Sequence, residues 1–320
     1  LSSAASDVYK RQDALVLAIG IRPNTAFLDG SGIEMVKGTI LTDGQLRTNL
    51  PDIYAVGDCA MVHNRQTGKP AWSPMGSTAN IAGRVLAQNL AGAEASYPGV
   101  LGTGVARLPG GLNVGRTGLT EAAAKAEGYD VITALSVVDD KAHYYPGVGS
   151  FIVKLTADRS TRKLLGAQIL GPGAVDKLAD IAVTAISLGA SVDQLATLDF
   201  AYAPPFSTAI HPFAHAVDVL LNKLDGAMDS MTPAEYAQGG ADGYEIVDCA
   251  LQPSLEGRRY LDLTRISGPV EGFGRDDRLL LVCTKGKRAY LTQNRLKYYG
   301  YANTRVLEGG ASFTEIGDGE

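Results

Sequence analysis

Residues 48–58 read TNLPDIYAVGD, and this stretch decides the fold of the first part of the chain. The apolar run at residues 53–56 predicts a short buried strand, and Gly57 predicts a sharp turn that ends beside the carboxylate of Asp58. Such a carboxylate accepts hydrogen bonds from a chain of hydroxyls, and glycine lets the backbone approach a ligand closely. The glycine fingerprint G-x-G-x-x-G, which holds a pyrophosphate at a helix N-terminus, occurs nowhere in the 320 residues. We therefore expect residues 48–58 to form one part of a larger ligand site.

The segments on either side of this stretch predict secondary structure around the same site. Residues 14–19 form an aliphatic run that predicts a strand, which Gly20 and Pro23 terminate. Residues 77–90 predict a helix, because apolar side chains recur there at helical spacing: Ile81, Val85, Leu86 and Leu90. A strand, a turn and a helix would then surround one ligand.

Composition limits the classes of protein to which the chain can belong. The net charge is -5 and no long run of Lys or Arg occurs, so nucleic acid and membrane are not expected as partners. The longest apolar stretch, residues 178–192, is interrupted by Asp180 and Gly189 and is too short to cross a bilayer. Residues 1–12 have neither an initiator Met nor an apolar signal core, so we interpret them as a non-native remnant.

The cysteines also exclude classes of protein. Cys59, Cys249 and Cys283 are too few and too scattered for a disulfide framework or a zinc site. We therefore expect no metal, and the reducing cytoplasm fits this cysteine usage best.

The pattern changes beyond residue 98. Residues 99–228 predict a separate α+β domain, with short strands at 149–156 and 163–170 and a longer helix at 174–188. Residues 224–232 read as a weak linker. Residues 232–317 predict an α/β module in which 244–247 and 278–282 are parallel strands, the second leading through a loop to a helix at 289–299.

Three motifs in the first 98 residues carry a family resemblance: AIGIRPN at 18–24, TNLPDIYAVGDCA at 48–60 and SPMGSTANIAGR at 73–84. Together they resemble the pyridine-nucleotide disulfide oxidoreductases, and within them the coenzyme A disulfide reductase and NADH oxidase or peroxidase branch. The resemblance implies that residues 13–98 hold the end of an NAD(P)-binding domain and part of a Rossmann-like FAD-binding domain. It implies cofactor contacts at six residues: Gly20, Gly57, Asp58, Pro74, Ser77 and Thr78.

The same resemblance implies cofactors and a direction for the helix. FAD would bind with Asp58 at its ribityl chain, and the N-terminus of the helix from about Ser77 would favour the anionic reduced flavin. NADH or NADPH would act through an N-terminal part that this sequence lacks, and coenzyme A is a further candidate ligand. Cys59 is expected to be a small buried residue, since the redox cysteine of this family lies upstream.

Residues 99–228 resemble the dimerisation domain of the same family, which implies a homodimer. The matching segments are HYYPG at 143–147 and AYAPPFS at 201–207. Tyr144 and Tyr202 would reach across the dimer to a low-molecular-weight thiol disulfide or persulfide, since a phenol can donate a hydrogen bond to a thiolate. The competing interpretation is that both tyrosines only pack against prolines in turns.

His211, which directly precedes Pro212, is a further candidate catalytic residue. His211-Pro212 resembles the His-Pro acid/base of glutathione-reductase-type enzymes, and a histidine with an ordinary pKa could protonate a leaving thiolate. The competing interpretation is structural. His215, four residues on, is a weaker candidate that shares the helical face.

The segment CTKGKR at 283–288 is the second chemical site. Cys283 follows an apolar strand and precedes a helix, so backbone N–H groups are expected to face its sulfur and to favour the nucleophilic thiolate. Gly286 gives the loop its freedom, while Lys287 and Arg288 are expected to stabilise a persulfide anion. The competing interpretation is a buried structural cysteine.

This loop resembles the active-site loop of rhodanese-like sulfurtransferases, and residues 232–317 would form such a domain. The family's Asp-x-Arg element is Asp248-Cys249-Ala250 here, without the arginine, and its central His-containing turn is missing around residues 259–268. Cys249 is expected near Cys283 if their strands are adjacent, as a core residue rather than a resolving thiol.

The resemblances combine into one hypothesis with two alternatives. The first is a FAD-dependent NAD(P)H:disulfide or persulfide oxidoreductase with a sulfurtransferase-like domain, of which this chain lacks the N-terminal half. The first alternative is an NADH oxidase or peroxidase, whose flavin motif is the same. The second is a non-catalytic fragment that carries sulfur on its rhodanese-like module.

Overall fold

The computed structural model of the protein describes residues 14–317, so the interpretation of residues 1–12 falls outside the described part. The chain divides into two compact units, the first ending at Val100 and the second beginning at Leu101. Each unit has sheets and cores of its own. None of the helices within residues 14–317 combines the length and the apolar character needed to cross a membrane.

The first unit contains a four-stranded sheet of short strands in the order β1-β2-β3-β4. The strands are β1 (Met35–Val36), β2 (Thr39–Leu41), β3 (Ala60–His63) and β4 (Pro70–Trp72). Only β2 and β3 are parallel. Helix α1 (Gly76–Leu90) follows β4 and packs through Ala82 on a small core with Leu46, Val62 and Tyr97.

In the first unit the expected strand at residues 14–19 is wrong, whereas the expected helix at residues 77–90 is confirmed. Residues 14–19 form no strand, and Leu15 and Ile19 are 77% and 91% exposed. A strand needs a hydrogen-bonded neighbour, and no strand in the described residues pairs with this segment. The helix is present, but Ile81 and Leu90 are exposed, because the buried face runs through Thr78 and Ala82.

The segment at residues 53–56 also differs from the expected buried strand. Asp52 adopts a left-handed φ of 58° and turns the chain back, so the Thr48 N–H donates to the Ile53 carbonyl at 2.9 Å. Only one bridge forms, between Arg47 and Tyr54, and Ile53 stays exposed. The strand that enters the sheet begins after the Gly57 turn, at Ala60.

The second unit begins with a five-stranded antiparallel sheet in the order β5-β6-β9-β8-β7. Its strands are β5 (Gly104–Arg107), β6 (Asn113–Gly118), β7 (Val131–Asp139), β8 (Ser150–Asp158) and β9 (Leu164–Gly171). The helices α2 (Glu121–Ala126), α3 (Val175–Leu188), α4 (Val192–Leu195) and α5 (Pro212–Leu224) complete this part. The apolar faces of α3 and α5 form one core with β7, β8 and β9, because both helices bury their Val, Leu and Ala side chains on the sheet.

The C-terminal module, which we define as residues 228–317, has a five-stranded parallel sheet in the order β10-β14-β13-β11-β12. Its strands are β10 (Ser230–Met231), β11 (Glu245–Asp248), β12 (Arg259–Tyr260), β13 (Leu279–Val282) and β14 (Thr304–Leu307). Helix α6 (Pro233–Ala237) follows β10, and helix α7 (Lys287–Tyr298) connects β13 to β14.

The sequence-based expectation for this module is partly confirmed. β11 and β13 pair in parallel, and β13 leads into a loop and then into α7. The linker assigned to residues 224–232 is wrong in its second half, because Ser230 and Met231 are buried and pair with β14. Two residues are too few to show the alternation that identifies a strand.

A buried carboxylate joins the module to the antiparallel sheet. Glu308 is 1% exposed and forms an ion pair with Lys223 of α5. It also accepts hydrogen bonds from the Leu135 N–H and the Ser230 hydroxyl, both at 2.7 Å. A buried charge is tolerated only when it is paired and hydrogen-bonded in this way, so the contact fixes the module to the sheet.

Candidate active site

The expected cofactor residues of the first unit gather at one end of the β3–β4 hairpin. Asp58 lies just before β3, and Trp72 ends the antiparallel β4, so the two meet. The Trp72 indole N–H donates to the Asp58 carbonyl at 2.8 Å, which leaves the Asp58 carboxylate exposed. Gly57 has a φ of 84°, and a Cβ there would meet no atom within 4 Å. The turn therefore offers an open backbone beside a free carboxylate.

Helix α1 begins at Gly76, four residues after Trp72. Its N-cap is Met75, and no side chain caps the first turn, so backbone N–H groups remain available there. Thr78 is buried and its hydroxyl contacts the Ser73 hydroxyl at 2.9 Å, while Ser77 is exposed and Pro74 is half-buried. An uncapped helix N-terminus carries roughly half a positive charge and attracts anionic or carbonyl groups.

These residues fit the flavin end of FAD. An exposed carboxylate suits ribityl hydroxyls, and an uncapped helix N-terminus suits the flavin carbonyl edge. Gly20 also has a positive φ and open space around it, but it lies in the exposed segment that forms no strand.

The two tyrosine motifs come together in the second unit. The Ala142 N–H donates to the Pro204 carbonyl at 3.3 Å, which joins the loop between β7 and β8 to residues 201–207. Tyr144 is 67% exposed and Tyr202 is 53% exposed. Both side chains are therefore open to a ligand or to another chain, which disfavours the interpretation that they only pack in turns.

His211 differs from the expected acid/base. It is the N-cap of α5, and its Nδ1 accepts a hydrogen bond from the Phe213 N–H at 3.2 Å. Its ring stacks on Phe200 with 4.6 Å between centroids. Burial, assisted by the charge of Lys177, lowers the pKa of His211 to about 4. The expectation of an ordinary pKa is wrong, because burial disfavours the charged imidazolium form.

His215 lies on the first turns of α5, whereas His211 precedes the helix. Burial lowers the pKa of His215, and Lys287 of the C-terminal module lowers it further. The two histidines line different cavities, although the His215 N–H donates to the His211 carbonyl at 2.9 Å and places them one helical turn apart.

Cys283 occupies the expected position between β13 and α7. Its Sγ accepts hydrogen bonds from the backbone N–H groups of Gly286 at 3.2 Å and Ala289 at 3.4 Å. Gly286 has a φ of 90° and is the N-cap of α7, a conformation that favours glycine. Cys283 is only 4% exposed. The sulfur therefore lies at the start of a helix, where N–H groups and the helix dipole favour an anion.

The basic side chains next to this loop do not surround the sulfur. The Arg288 guanidinium donates to the Cys249 and Ala250 carbonyls at 3.1 and 3.2 Å and to Asp262 at 3.1 Å. Lys287 lies beside His215. The expectation that Lys287 and Arg288 stabilise an anion on Cys283 stays a prediction, although the Arg288 guanidinium donates to the neighbouring strand ends and not to the sulfur. Backbone N–H groups supply the polar contacts instead.

Cys249 is adjacent to Cys283, as expected from their strands. Asp248 pairs with Val282, and each cysteine follows directly. Burial raises the pKa of Cys249 to about 12, and its neighbour Cys283 adds to this effect. Cys249 is therefore a protonated core thiol at neutral pH. Cys59 is half-buried rather than buried, with its Sγ 3.5 Å from the Val56 carbonyl.

Sequence reasoning missed two charged contacts beside the cysteine loop. Lys285 pairs with Asp139 at the end of β7, and Glu308 pairs with Lys223. The partners lie 146 and 85 residues apart, and no local pattern marks them. Within residues 14–317, His, Cys, Asp and Glu side chains form no group of three that could hold a metal ion.

Two family models match the chain. Residues 5–82 match the model described as pyridine nucleotide-disulphide oxidoreductase, and residues 110–214 match its dimerisation domain. Members of this family depend on FAD and NAD(P)H.

Named relatives are about one third identical to the chain over the aligned residues. The NAD(P)H sulfur oxidoreductase (CoA-dependent) of Pyrococcus furiosus is 36% identical over 211 residues, which is 66% of this chain and 47% of the relative. An NADH oxidase of Methanocaldococcus jannaschii is 34% identical over 212 residues, again 66% and 47%. The chain spans about half the length of the curated relatives it matches.

Two solved structures resemble almost the whole chain. The NAD-dependent persulfide reductase from A. fulgidus has a TM-score of 0.83 and 32% identity, covering 92% of this chain and 54% of its own. The reduced Bacillus anthracis CoADR-RHD has a TM-score of 0.85 and 31% identity, covering 93% and 54%. These likenesses extend beyond the two family models and include the C-terminal module.

Proposed function

Because the chain belongs to the pyridine nucleotide-disulphide oxidoreductase family, we propose that it acts in the NAD(P)H-dependent reduction of a low-molecular-weight disulfide or persulfide, with coenzyme A as the carrier thiol. The C-terminal module acts in this proposal as a rhodanese-like sulfurtransferase whose Cys283 carries sulfane sulfur. FAD, when bound, accepts a hydride and passes electrons to a sulfur group. The residues proposed to hold it are Gly57, Asp58, Pro74, Ser77 and Thr78, with Gly20 as the weakest member of the set.

The proposal rests mainly on the position of the Cys283 sulfur at the start of α7. Two backbone N–H groups point at Sγ from the first turn of a helix. Such donors stabilise an anionic sulfur without a charged side chain, and a persulfide is such an anion near neutral pH. Because Cys283 is nearly buried, the group that reaches it must be narrow, as a terminal persulfide is.

The proposed transfer step conserves atoms and electrons. The Cys283 thiolate attacks the outer sulfur of a persulfide R–S–SH, the S–S bond breaks, and Cys283 persulfide forms while R–S⁻ leaves and takes a proton from water. No net oxidation or reduction occurs. Thiolates carry out such displacements at sulfur, and the rate depends on the thiolate fraction. Cys249 does not compete for the sulfur, because its thiol stays protonated.

Tyr144 and Tyr202 are proposed to act in the reductive half of the reaction. The match to a dimerisation domain supports a homodimer, in which exposed tyrosines of one subunit face the other. Each phenol donates a hydrogen bond to the thiolate that leaves when a disulfide or persulfide is reduced. His211 is not proposed as the proton donor, since its pKa is about 4.

Cys283→Ser in the 320-residue chain tests the sulfur-carrier role. The parent chain, incubated with glutathione persulfide, is expected to gain one sulfur atom on Cys283 by mass spectrometry and to pass it to cyanide. Cys283→Ser is expected to lose both reactions, because an alcohol forms no persulfide, while Cys249→Ala retains them. Sulfur transfer at the parental rate in Cys283→Ser would show that the cysteine loop is only structural.

An NADH oxidase is the second candidate. The relative from Methanocaldococcus jannaschii with that name supports it, but the match covers 66% of this chain. The structures that cover 92% and 93% of the chain, one of them a persulfide reductase, favour sulfur chemistry. The proposed persulfide reaction gives a role to the exposed tyrosines and to the Cys283 loop, whereas the reduction of oxygen requires neither.

A further inference from the structure

Lys285 lies two residues after Cys283, yet its side chain leaves the cysteine loop. Its ammonium group forms an ion pair with Asp139 and donates to the Ser150 hydroxyl at 3.0 Å. The Ser150 hydroxyl donates in turn to the Asp139 carboxylate at 3.2 Å. Lys285 and Asp139 are each about one third exposed, so the three polar groups form a closed and partly desolvated network.

The two partners of Lys285 flank the loop at residues 140–149, which we call the Tyr144 loop. Asp139 ends β7, Ser150 begins β8, and they face each other across the strand pair. In the next rung of the same hairpin, the Asp140 N–H donates to the Gly149 carbonyl at 2.9 Å, and the Gly149 N–H donates to the Asp140 carboxylate at 2.8 Å. The loop that these rungs close, residues 140–149, carries Tyr144. Lys285 therefore binds the pair of residues, Asp139 and Ser150, that flanks the loop carrying Tyr144.

The backbone that precedes Lys285 is also held in place by hydrogen bonds. The Cys283 carbonyl accepts from the Ala311 N–H at 3.0 Å, and the Thr284 carbonyl accepts from the Ser312 N–H at 2.8 Å. Gly286 then binds the sulfur itself. A lysine held at both ends transmits a displacement of one loop to the other, whereas a freely exposed lysine would not.

We infer that Lys285 is a positioning residue that holds the Cys283 loop and the base of the Tyr144 loop in one fixed relation, so that the two sulfur-handling elements act as one unit. The inference rests on the proposed function of Cys283 and Tyr144. Lys285 touches no reacting atom in this account. It acts through the backbone on either side of Cys283 and through the first rung of the hairpin.

Lys287 provides a matched control from the same segment. It begins α7 and lines, with Lys285 and His215, a cavity of about 190 Å³, but within the described residues its side chain forms no hydrogen bond or ion pair with Asp139 or Ser150. Removing its charge changes the net charge by the same amount as removing that of Lys285. Any effect specific to Lys285 is therefore due to its contacts and not to the loss of a positive charge.

Hydrogen exchange of the 320-residue chain, read by mass spectrometry, tests the link directly. Lys285→Met is expected to raise exchange in residues 140–149 and 284–288 together, by about three- to tenfold, because one local contact is lost. Exchange in β8 and β13 stays unchanged. Lys285→Arg keeps both loops protected, since arginine reaches the same acceptors, and Lys287→Met does not affect residues 140–149.

Turnover adds a readout that a purely structural contact would leave unchanged. In the full-length gene product, Lys285→Met is expected to lower kcat for NADH-driven reduction of coenzyme A persulfide about three- to tenfold at an unchanged KM. Exchange in residues 140–149 equal to that of the parent overturns the inference. Failure of the parent to transfer sulfur at all rejects the proposed function instead, and with it the positioning role.

Discussion

At the scale of single residues, the environment of each side chain separates two neighbouring cysteines. Cys249 and Cys283 follow paired residues of adjacent strands, but only Cys283 has two N–H groups aimed at its sulfur. The thiol of Cys249 is buried and its pKa is raised to about 12. Local sequence predicted the strand, the loop and the glycine around Cys283, because strand, turn and helix signals are local. It could not predict the partners of Arg288 or Lys285, since these depend on contacts distant in the chain.

His211 makes stability depend on pH in a defined window. The pKa of His211 is about 4 in the folded chain and about 6.5 when exposed, so between these values the unfolded chain binds more protons. Stability therefore rises with pH from 4 to 6.5 and is lost as the pH falls through that range, by about 3 kcal/mol from this residue.

Urea unfolding at pH 4, 5, 6 and 7 checks this prediction. His211→Asn keeps an N-cap acceptor but cannot titrate, so its unfolding free energy is expected to vary less with pH than that of the parent. The comparison between the two proteins removes the contribution of His215, whose pKa is also lowered by burial. Equal pH dependence in both proteins would contradict the account of His211.

At the scale of elements, the loop that seats Cys283 depends on the turn that follows β14. Gly310 has a φ of 57°, and a Cβ there would lie 2.0 Å from the Cys283 carbonyl oxygen. The backbone of residues 310–312 must therefore lie directly against the cysteine loop, and only glycine permits this approach. The same turn supplies the Ala311 N–H that holds the Cys283 carbonyl.

Gly310→Ala is expected to destabilise the chain by about 2 to 4 kcal/mol, because the methyl group displaces a backbone carbonyl and the left-handed φ is strained. It is also expected to slow persulfide formation on Cys283. Gly268→Ala serves as the control, since Gly268 has open space and no positive φ, and its effect should stay within about 0.5 kcal/mol. Thermal unfolding of both variants measures these changes. A similar loss of stability in the two variants would show that the close approach of Gly310 to the Cys283 carbonyl is unimportant.

Prediction of elements from the sequence succeeded for long periodic helices and for apolar strands of four residues or more that have pairing partners. The helices α3 and α7 and the strands β8, β9, β11 and β13 fall where their patterns indicated, within a few residues. The failures have physical causes. An aliphatic run without a pairing partner forms no strand at residues 14–19, and β10 is too short for its alternation to be visible. Gly57 and Asp58 were predicted at a turn and lie in one, but the strand lies after them.

At the scale of the whole molecule, the described part of the second unit couples two sheets through charge. The Glu308 carboxylate, almost wholly buried, is held by Lys223, Leu135 and Ser230. The Lys223 ammonium also donates to the Thr133 carbonyl at 2.6 Å. The C-terminal module and the antiparallel sheet should therefore unfold together.

Glu308→Ala is expected to cost about 3 to 5 kcal/mol, because it leaves the Lys223 charge buried without its partner. Calorimetry should then resolve two transitions where the parent chain shows one, since the module loses its attachment. Glu315→Ala removes a carboxylate of the same type from an exposed site and should leave a single transition. A single parental transition in Glu308→Ala would show that the carboxylate does not couple the two sheets.

The central claim is that this chain serves the reduction of low-molecular-weight persulfides and disulfides, and the substrate dependence of NADH oxidation tests it most directly. The full-length gene product, with FAD, would be assayed with coenzyme A persulfide, coenzyme A disulfide and oxygen as alternative acceptors. We expect the persulfide or the disulfide to be reduced at least tenfold faster than oxygen, corresponding to about 1.4 kcal/mol in activation free energy. Fast turnover with oxygen alone would contradict the account and identify the protein as an NADH oxidase.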